Sequence, residues 1–205
     1  LMKIRLNRAN TVNAATLNKA IEGVMVKLGD NYISFSSVDI KTSTIDITFP
    51  PGALTIPDGQ TIELGIWVYL KNSGISDNQT IQLYIDKLNP GFEAYDIGSR
   101  FATKFPTNIN SAIATIRVSA TKLNFTSTPT RVGVNEPFTV KVKPTDANGN
   151  ADVNFAGNVE LLLGSGSGEL ELISENPAPI INGETQLEAN YSTPGIFTLI
   201  ARNPS

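Results

Sequence analysis

Apolar and polar residues alternate in short runs between turn-forming residues, and this pattern restricts the fold of the chain more than any other feature. The clearest run, Thr61–Leu70, has an apolar side chain at every second position from Ile62 onwards. Thr80–Asp86 and Pro137–Lys143 alternate in the same way. A period of two predicts β-strands that place one face on a core and the other towards solvent.

Other segments of the chain repeat this signal. The further predicted strands are the segment around Ile4 and Leu6, Val24–Leu28, Tyr32–Phe35, Thr44–Phe49, Ser111–Val118, Asn158–Leu163, Glu169–Ile173, Thr185–Tyr191 and Phe197–Ala201. In Thr44–Phe49 we expect Asp46 to point outwards, away from the core. One short helix is predicted from about Ala14 to Ile21, ending at Gly23. Closely spaced turns between short strands predict β-sandwiches.

The length of 205 residues suits two small domains, each with its own core. We expect the first to span residues 1–119 and the second residues 120–205, joined at Ser119-Ala120 without a Gly/Ser-rich or Pro-rich spacer. The predicted fold class is all-β, with two tandem β-sandwich domains. So short a connection predicts a semi-rigid arrangement.

The second half carries a recognisable order of motifs. A short strand and a Pro/Gly turn precede PFTVKV, then DANGN and FAGNVELLLGSGSG, and the end reads Tyr191-x-x-Pro-Gly-x-Phe-Thr-Leu-x-Ala. This order resembles the bacterial Ig-like repeats of secreted and surface proteins, the invasin/intimin-like and related families. The resemblance covers residues of about 120–205 and implies an immunoglobulin-like sandwich, with an aromatic residue after the last turn that caps the core.

In the first half, IPDGQTIELGIWVYLKNSGISDNQTIQLYID resembles β-sandwich modules of large secreted proteins of the Bacteroidetes type. Both resemblances imply a bacterial protein that is secreted or at the cell surface. The N-terminus, LMKIRLNRANT, lacks the apolar centre of a signal peptide. We therefore expect a segment of a longer polypeptide; the alternative is a short cytoplasmic protein that begins near Met2.

Composition excludes several classes of site within these 205 residues. The sequence contains no His and no Cys, which removes Ser-His-Asp and Cys-His catalysis, His-ligated metals and disulfides. A net charge of −3 gives no indication of the basic surface that nucleic-acid binding requires. No run of 18 apolar residues is present, so we expect no membrane insertion. A carboxylate pair or a Ser–Lys arrangement remains. Glu93 and Asp96 are the candidate carboxylates, although loop acids are usually solvated; we expect no enzymatic activity.

Three aromatic residues, Trp67, Tyr69 and Tyr84, are the candidate ligand site. If Thr61–Leu70 and Thr80–Asp86 pair as a hairpin, all three lie on one outer face. Exposed aromatic rings on a sheet stack on sugars in many carbohydrate-binding sandwiches. The alternatives are that the rings stabilise the sheet directly, or that a neighbouring domain covers them.

Oxygen-bearing residues alternate along the turn that follows Lys143. Asp146, Asn148, Asn150 and Asp152 form a candidate calcium site, because carboxylate and amide oxygens suit a hard cation. The downstream bidentate Glu of an EF-hand is missing, and a turn made by local Asx hydrogen bonds is the alternative. Gly164–Gly168 lacks the Lys-Ser/Thr ending of a phosphate loop and is interpreted as a glycine-rich connection.

These observations predict a non-catalytic structural or adhesion segment, a stalk or spacer, of a longer secreted or cell-surface bacterial protein. Its partners would be neighbouring domains of the same polypeptide and a cell-surface glycan or protein; calcium is the only cofactor considered. The alternative from another class is a carbohydrate-binding accessory module of a secreted hydrolase. A third candidate is an accessory piece of a secreted protease or glycosidase.

Overall fold

The computed structural model describes residues 1–57, 59–88, 91–93 and 106–204. The chain divides into two compact units, Leu1–Ile116 and Arg117–Ser205. Nearly all of the regular structure is β, in several sheets, so the predicted all-β class is confirmed. In the described part of the chain, no helix has the length and apolar character that crossing a bilayer requires.

The first unit contains one helical turn and ten strands among its described residues. They are β1 (Lys3–Arg8), α1 (Leu17–Ala20), β2 (Ile21–Leu28), β3 (Asn31–Tyr32), β4 (Ser37–Ile40), β5 (Thr44–Thr48), β6 (Leu64–Leu70), β7 (Thr80–Ile81), β8 (Leu83–Ile85), β9 (Ile109–Asn110) and β10 (Ala114–Thr115). A five-stranded sheet has the order β4-β5-β1-β8-β9, a three-stranded sheet the order β3-β2-β6, and β10 pairs with β7.

The core of the first unit lies between the apolar faces of the two larger sheets. The five-stranded sheet contributes fully buried Ile45 and Ile47 from β5, and the three-stranded sheet contributes Val24 and Val26 from β2. The predicted inward residues of β6, from Leu64 to Val68, pack against the same core. Alternation therefore predicted the correct face of β5 and of β6 from Leu64 to Val68, because side chains of a strand point to opposite sides in turn.

The helix is shorter than predicted. It comprises four residues, Leu17–Ala20, and Ile21 already belongs to β2. Gly23 lies inside that strand, next to a β-bulge, and does not end the helix. Because β2 pairs with β6 from Ile21 to Leu28, long-range strand pairing outweighs the weak local helical preference of this segment.

Strand pairing around Thr80–Asp86 also differs from the prediction. This segment forms two strands, β7 and β8, which belong to different sheets. In the described residues β6 pairs with β2, whereas β8 pairs with β1 and β9. Thr61–Leu70 and Thr80–Asp86 therefore do not form the hairpin on which a common outer face of Trp67, Tyr69 and Tyr84 depended. The long register shared by β2 and β6 has apolar residues on its inner face, and burying that face favours this pairing.

The second unit contains seven strands among its described residues. They are β11 (Lys122–Ser127), β12 (Phe138–Thr145), β13 (Asn158–Ser165), β14 (Leu170–Leu172), β15 (Ala178–Pro179), β16 (Thr185–Tyr191) and β17 (Thr198–Arg202). One sheet has the order β11-β12-β16-β14 and the other the order β15-β13-β17. Val140, Leu161 and Leu187 from the two sheets are fully buried between them.

The glycine-rich segment Gly164–Gly168 connects strands of opposite sheets and packs against Tyr191. The Tyr191 hydroxyl accepts a hydrogen bond from the Gly168 N–H at 2.8 Å, and the Tyr191 ring stacks on Phe197 with 4.1 Å between centroids. A Cβ atom at Gly166 or Gly168 would collide with Tyr191. These glycines therefore allow the backbone to approach a buried aromatic side chain closely.

Candidate binding face of the first unit

The outer face of the β3-β2-β6 sheet gathers aromatic residues from strands distant in the sequence. In the register, Lys27 of β2 lies between Tyr32 of β3 and Gly65 of β6. The next outward pair is Met25 with Trp67, followed by Gly23 with Tyr69. We call the outward side chains of Tyr32, Lys27, Trp67 and Tyr69 the aromatic face.

All three rings of the aromatic face are accessible. Tyr32 is 68% exposed, Trp67 57% and Tyr69 54%, whereas alternate residues of the same strands face the core. Large apolar rings with a polar tip are usually covered at least in part, and a group of them left exposed marks a binding surface. The first unit therefore presents an accessible aromatic strip that extends across the three strands β3, β2 and β6.

Two glycines form the floor beneath the rings. A Cβ atom built on Gly23 would collide with the hydroxyl end of Tyr69, and one on Gly65 would come within 3.3 Å of the Trp67 Nε1 atom. The Tyr69 and Trp67 side chains thus each lie close to a residue that has no side chain, which lets them approach the sheet.

Lys27 places a positive charge inside the strip. Its Nζ lies 4.6 Å from the centroid of the Tyr32 ring and 6.0 Å from that of Trp67. Both distances are within the range of cation–π attraction, which contributes about 0.5–1 kcal/mol at exposed sites. Lys27 therefore orders two rings that come from different strands and supplies a hydrogen-bond donor beside them.

The structure brings two of the three predicted aromatic residues together and separates the third. Trp67 and Tyr69 share the aromatic face, but Tyr84 is half-buried on β8, paired with Asn7 and Asn110 in the five-stranded sheet. Tyr32 takes the place that was assigned to Tyr84. Gly29-Asp30 is a turn signal between β2 and β3, from which the β2–β3 hairpin can be predicted. Only the β2–β6 pairing, however, brings Tyr32 and Trp67 onto the same face.

Chemically, the aromatic face suits a flat ligand with apolar C–H groups. The ring faces offer stacking area, while the phenol hydroxyls, the indole N–H and the Lys27 ammonium are polar groups at the edges. Pyranose rings have this character, with C–H groups on their faces and hydroxyls around their rims.

The predicted calcium residues form a turn held by hydrogen bonds. Asp146 Oδ1 accepts the N–H groups of Asn148 and Asn150, both at 2.9 Å, and Oδ2 accepts the Asn150 side-chain amide at 2.8 Å. The hydrogen bond from Asn150 and those from the backbone lower the pKa of Asp146. Asp152 accepts hydrogen bonds from the Ala120 and Asn154 N–H groups. Every carboxylate oxygen of the two aspartates thus has an N–H donor.

Of the two candidate catalytic carboxylates, only Glu93 lies among the described residues. Glu93 forms an isolated bridge with Lys3, whose Nζ lies 3.7 Å from Glu93 Oε1. Asp96 lies outside the described residues. Among those that are described, no group of three or more acidic side chains is arranged to hold a metal ion.

No protein-family model and no curated protein matches the chain. Among solved structures, the chain is similar to the crystal structure of a β-glycosidase from Bacteroides vulgatus, with 13% identity and a TM-score of 0.39. The match covers 88% of this chain and 20% of that chain, so this chain spans about a fifth of the length of the glycosidase.

Proposed function

We propose that the chain is a non-catalytic adhesion segment of a secreted or cell-surface bacterial protein, and that its first unit binds glycans on the aromatic face. The observation that carries this proposal is the accessible strip of Tyr32, Trp67 and Tyr69, in which Trp67 and Tyr69 lie close to two glycines. If these rings served only to stabilise the sheet, burying them would stabilise it further, because aromatic rings stabilise a fold mainly through their burial.

The sandwich architecture supports a structural role for the rest of the segment. Each unit has its own buried core, and the second unit is the one whose motifs resemble bacterial Ig-like repeats. Leaving out the two-residue strand β15, its strands follow the orders first-second-fifth-fourth and third-sixth. These are the orders of the A-B-E-D sheet and the C-F pair in immunoglobulin domains.

The test is binding of the 205-residue chain to a panel of insoluble polysaccharides, followed by titration calorimetry with soluble oligosaccharides of any polysaccharide that retains it. We expect Trp67→Ala to abolish retention and Tyr32→Ala to weaken it. Loss of one stacked ring typically costs about 1–3 kcal/mol where aromatic stacking carries binding. Circular dichroism must show that each variant keeps its fold.

The matched control is Ile113→Ala, which removes an apolar side chain of similar exposure from another part of the first unit. Retention that survives Trp67→Ala, or falls equally in the Ile113 variant, would contradict the proposed site. If the unaltered chain binds no polysaccharide in the panel, the stalk or spacer role is the function that remains.

A further inference from the structure

Lys27 carries the positive charge of the aromatic face, and no described residue forms an ion pair with it. Its side chain lies on β2, between Tyr32 of β3 and Gly65 of β6. Four other lysines are each paired with a carboxylate in the described part of the chain: Lys3, Lys41, Lys141 and Lys143. The acidic residues in and beside β2 and β6 form no such pair with Lys27 there; they are Glu22, Asp30 and Glu63.

The contacts that Lys27 does make are with two rings. Its Nζ lies 4.6 Å from the centroid of Tyr32 and 6.0 Å from that of Trp67. A ligand that stacks on either ring therefore also removes water from this ammonium group. Removing water from a charge is unfavourable unless the ligand supplies a group of opposite charge. The position of Lys27 thus favours a sugar that carries an anionic group over a neutral sugar of the same shape.

A carboxylate at the rim of a sugar is in a suitable place to meet Lys27. A pyranose ring stacked on Trp67 has its substituents at the edge of the aromatic ring, and the Lys27 Nζ lies beside that edge. In a uronic acid, one of these substituents is a carboxylate attached directly to the sugar ring. Its hydrogen bond to an ammonium group is charge-assisted and roughly twice as strong as a neutral one.

The pairing of β2 and the charge of the chain set a uronic acid apart from other anionic ligands. β2 pairs with β3 on one side and β6 on the other, so a peptide lying over Lys27 finds no free row of backbone groups in β2. A densely sulfated polysaccharide brings several negative charges to a chain whose net charge is −3. One ammonium group on the aromatic face matches one carboxylate on the stacked sugar.

We propose that the aromatic face selects acidic polysaccharides, with a uronic acid ring stacked on Trp67 or Tyr32 and its carboxylate bound to the Lys27 Nζ. This inference rests on the proposed glycan binding and names its substrate class. Lys27 is the specificity-determining residue, because it distinguishes acidic from neutral sugars. The rings contribute stacking that both kinds of sugar share.

The probes are three soluble polyuronates, polygalacturonate, alginate and hyaluronan, each compared by titration calorimetry with the same polymer after methyl esterification of its carboxylates. We expect the 205-residue chain to bind at least one polyuronate about tenfold more tightly than its ester, through one charge-assisted hydrogen bond. Lys27→Met should remove this preference without weakening binding of the ester. Lys27→Arg keeps the charge and should keep the preference.

Lys19→Met is the matched control, because it removes an exposed lysine of the same unit outside the aromatic face and changes the net charge equally. Equal affinity for the polyuronates and their esters, or loss of the preference in the Lys19 variant, would overturn the inference. Binding of dextran sulfate or polyglutamate as tight as that of the polyuronates would also overturn it, since the ligand would then be a sulfate ester or an acidic peptide.

Trp67→Ala separates failure of this inference from failure of the proposed function. If Trp67→Ala abolishes polysaccharide binding but Lys27→Met leaves the affinities for polyuronates and esters unchanged, the aromatic face binds glycans without selecting acidic ones, and only the inference fails. If no polysaccharide binds, or if Trp67→Ala leaves binding unchanged, glycan binding on the aromatic face fails and the inference fails with it. Circular dichroism checks that each variant keeps its fold.

Discussion

Arg5 and Asp46, opposite each other on β1 and β5, form a two-point ion pair on the side of the sheet away from the core: Arg5 Nε lies 2.6 Å from Oδ1 and Nη2 lies 3.0 Å from Oδ2. Lys3 and Lys41 approach the same carboxylate at 3.8 and 3.6 Å. Asp46 points outwards, as alternation predicted, but it is only 7% exposed. The long side chains that pair with it also cover it.

The first prediction concerns the pH dependence of the first unit. Hydrogen bonding to Arg5 lowers the pKa of Asp46 below its ordinary value of 3.8, so the folded state holds its proton more weakly than the unfolded state. The resulting stabilisation is fully present above that ordinary value and is lost as pH falls through the lower folded-state pKa. We expect Asp46→Asn to reduce the unfolding free energy at pH 7 by about 1–3 kcal/mol and by progressively less towards pH 2.

Urea unfolding followed by Trp67 fluorescence measures this effect, because the chain has a single tryptophan and it lies in the first unit. Asp39→Asn is the control, since Asp39 is an exposed neighbour bound to Lys41 at 3.1 Å and should change the free energy little. A difference between Asp46→Asn and the unaltered chain that stays constant from pH 7 to pH 2 would contradict the assignment.

The second prediction separates the shape of the aromatic face from the stability of the fold. Gly23→Ala places a methyl group where the Tyr69 hydroxyl lies, so the ring must move away from the sheet. Because Tyr69 is exposed and free to shift, we expect a change of about 0.5 kcal/mol or less in the unfolding free energy, but clearly weaker retention on any polysaccharide that the chain binds.

Gly29→Ala is the control, because it should lower the stability of the fold without changing the aromatic face. Gly29 has a φ of 58° in the β2–β3 turn and has open space around its Cα. Alanine there is strained, so we expect a loss of about 1 kcal/mol of stability with unchanged retention. If both variants lose stability equally and retention follows it, the position of the Tyr69 ring has no specific role.

A third prediction tests how Tyr191 organises the second unit. Tyr191→Phe removes the acceptor of the Gly168 N–H and should lower the unfolding free energy by about 1 kcal/mol. Tyr191→Leu also removes the stacking on Phe197, and we expect a loss two to three times as large. Far-UV circular dichroism during urea unfolding measures both; similar losses for the two variants would mean that the ring contributes little beyond its hydroxyl.

The fourth prediction concerns the turn from Asp146 to Asn150. Asp146→Ala leaves three N–H donors without their acceptor and should destabilise the second unit by about 1–2 kcal/mol. We expect the same loss in the presence of about 5 mM calcium, which is enough to fill a weak extracellular calcium site, and in the presence of a chelator. A thermal midpoint that rises with calcium in the unaltered chain, but not in the Asp146 variant, would instead establish a metal site.

Local pattern in the sequence predicted most of the long strands and, where alternation was clear, the side that faces a core. It did not predict β4, and the predicted strand Tyr32–Phe35 is reduced to Asn31–Tyr32. The predicted strand Thr185–Tyr191 has the same bounds as β16, and the inward residues of Thr44–Phe49 are buried as predicted. Alternation is a property of neighbouring residues, because the pleat sends successive side chains to opposite faces whatever the partner strand is.

Only the tertiary structure decided which strands are neighbours, and the candidate site depends on that choice. Trp67 and Tyr69 were recognisable from their own strand, but Tyr32 joins them and Tyr84 leaves them because β6 pairs with β2 rather than with β8. Likewise, Asp46 is buried because Arg5, 41 positions away, lies opposite it. Which distant strands pair depends on how much apolar surface the whole sheet buries. Alternation within one strand is the same for every partner and therefore does not identify that partner.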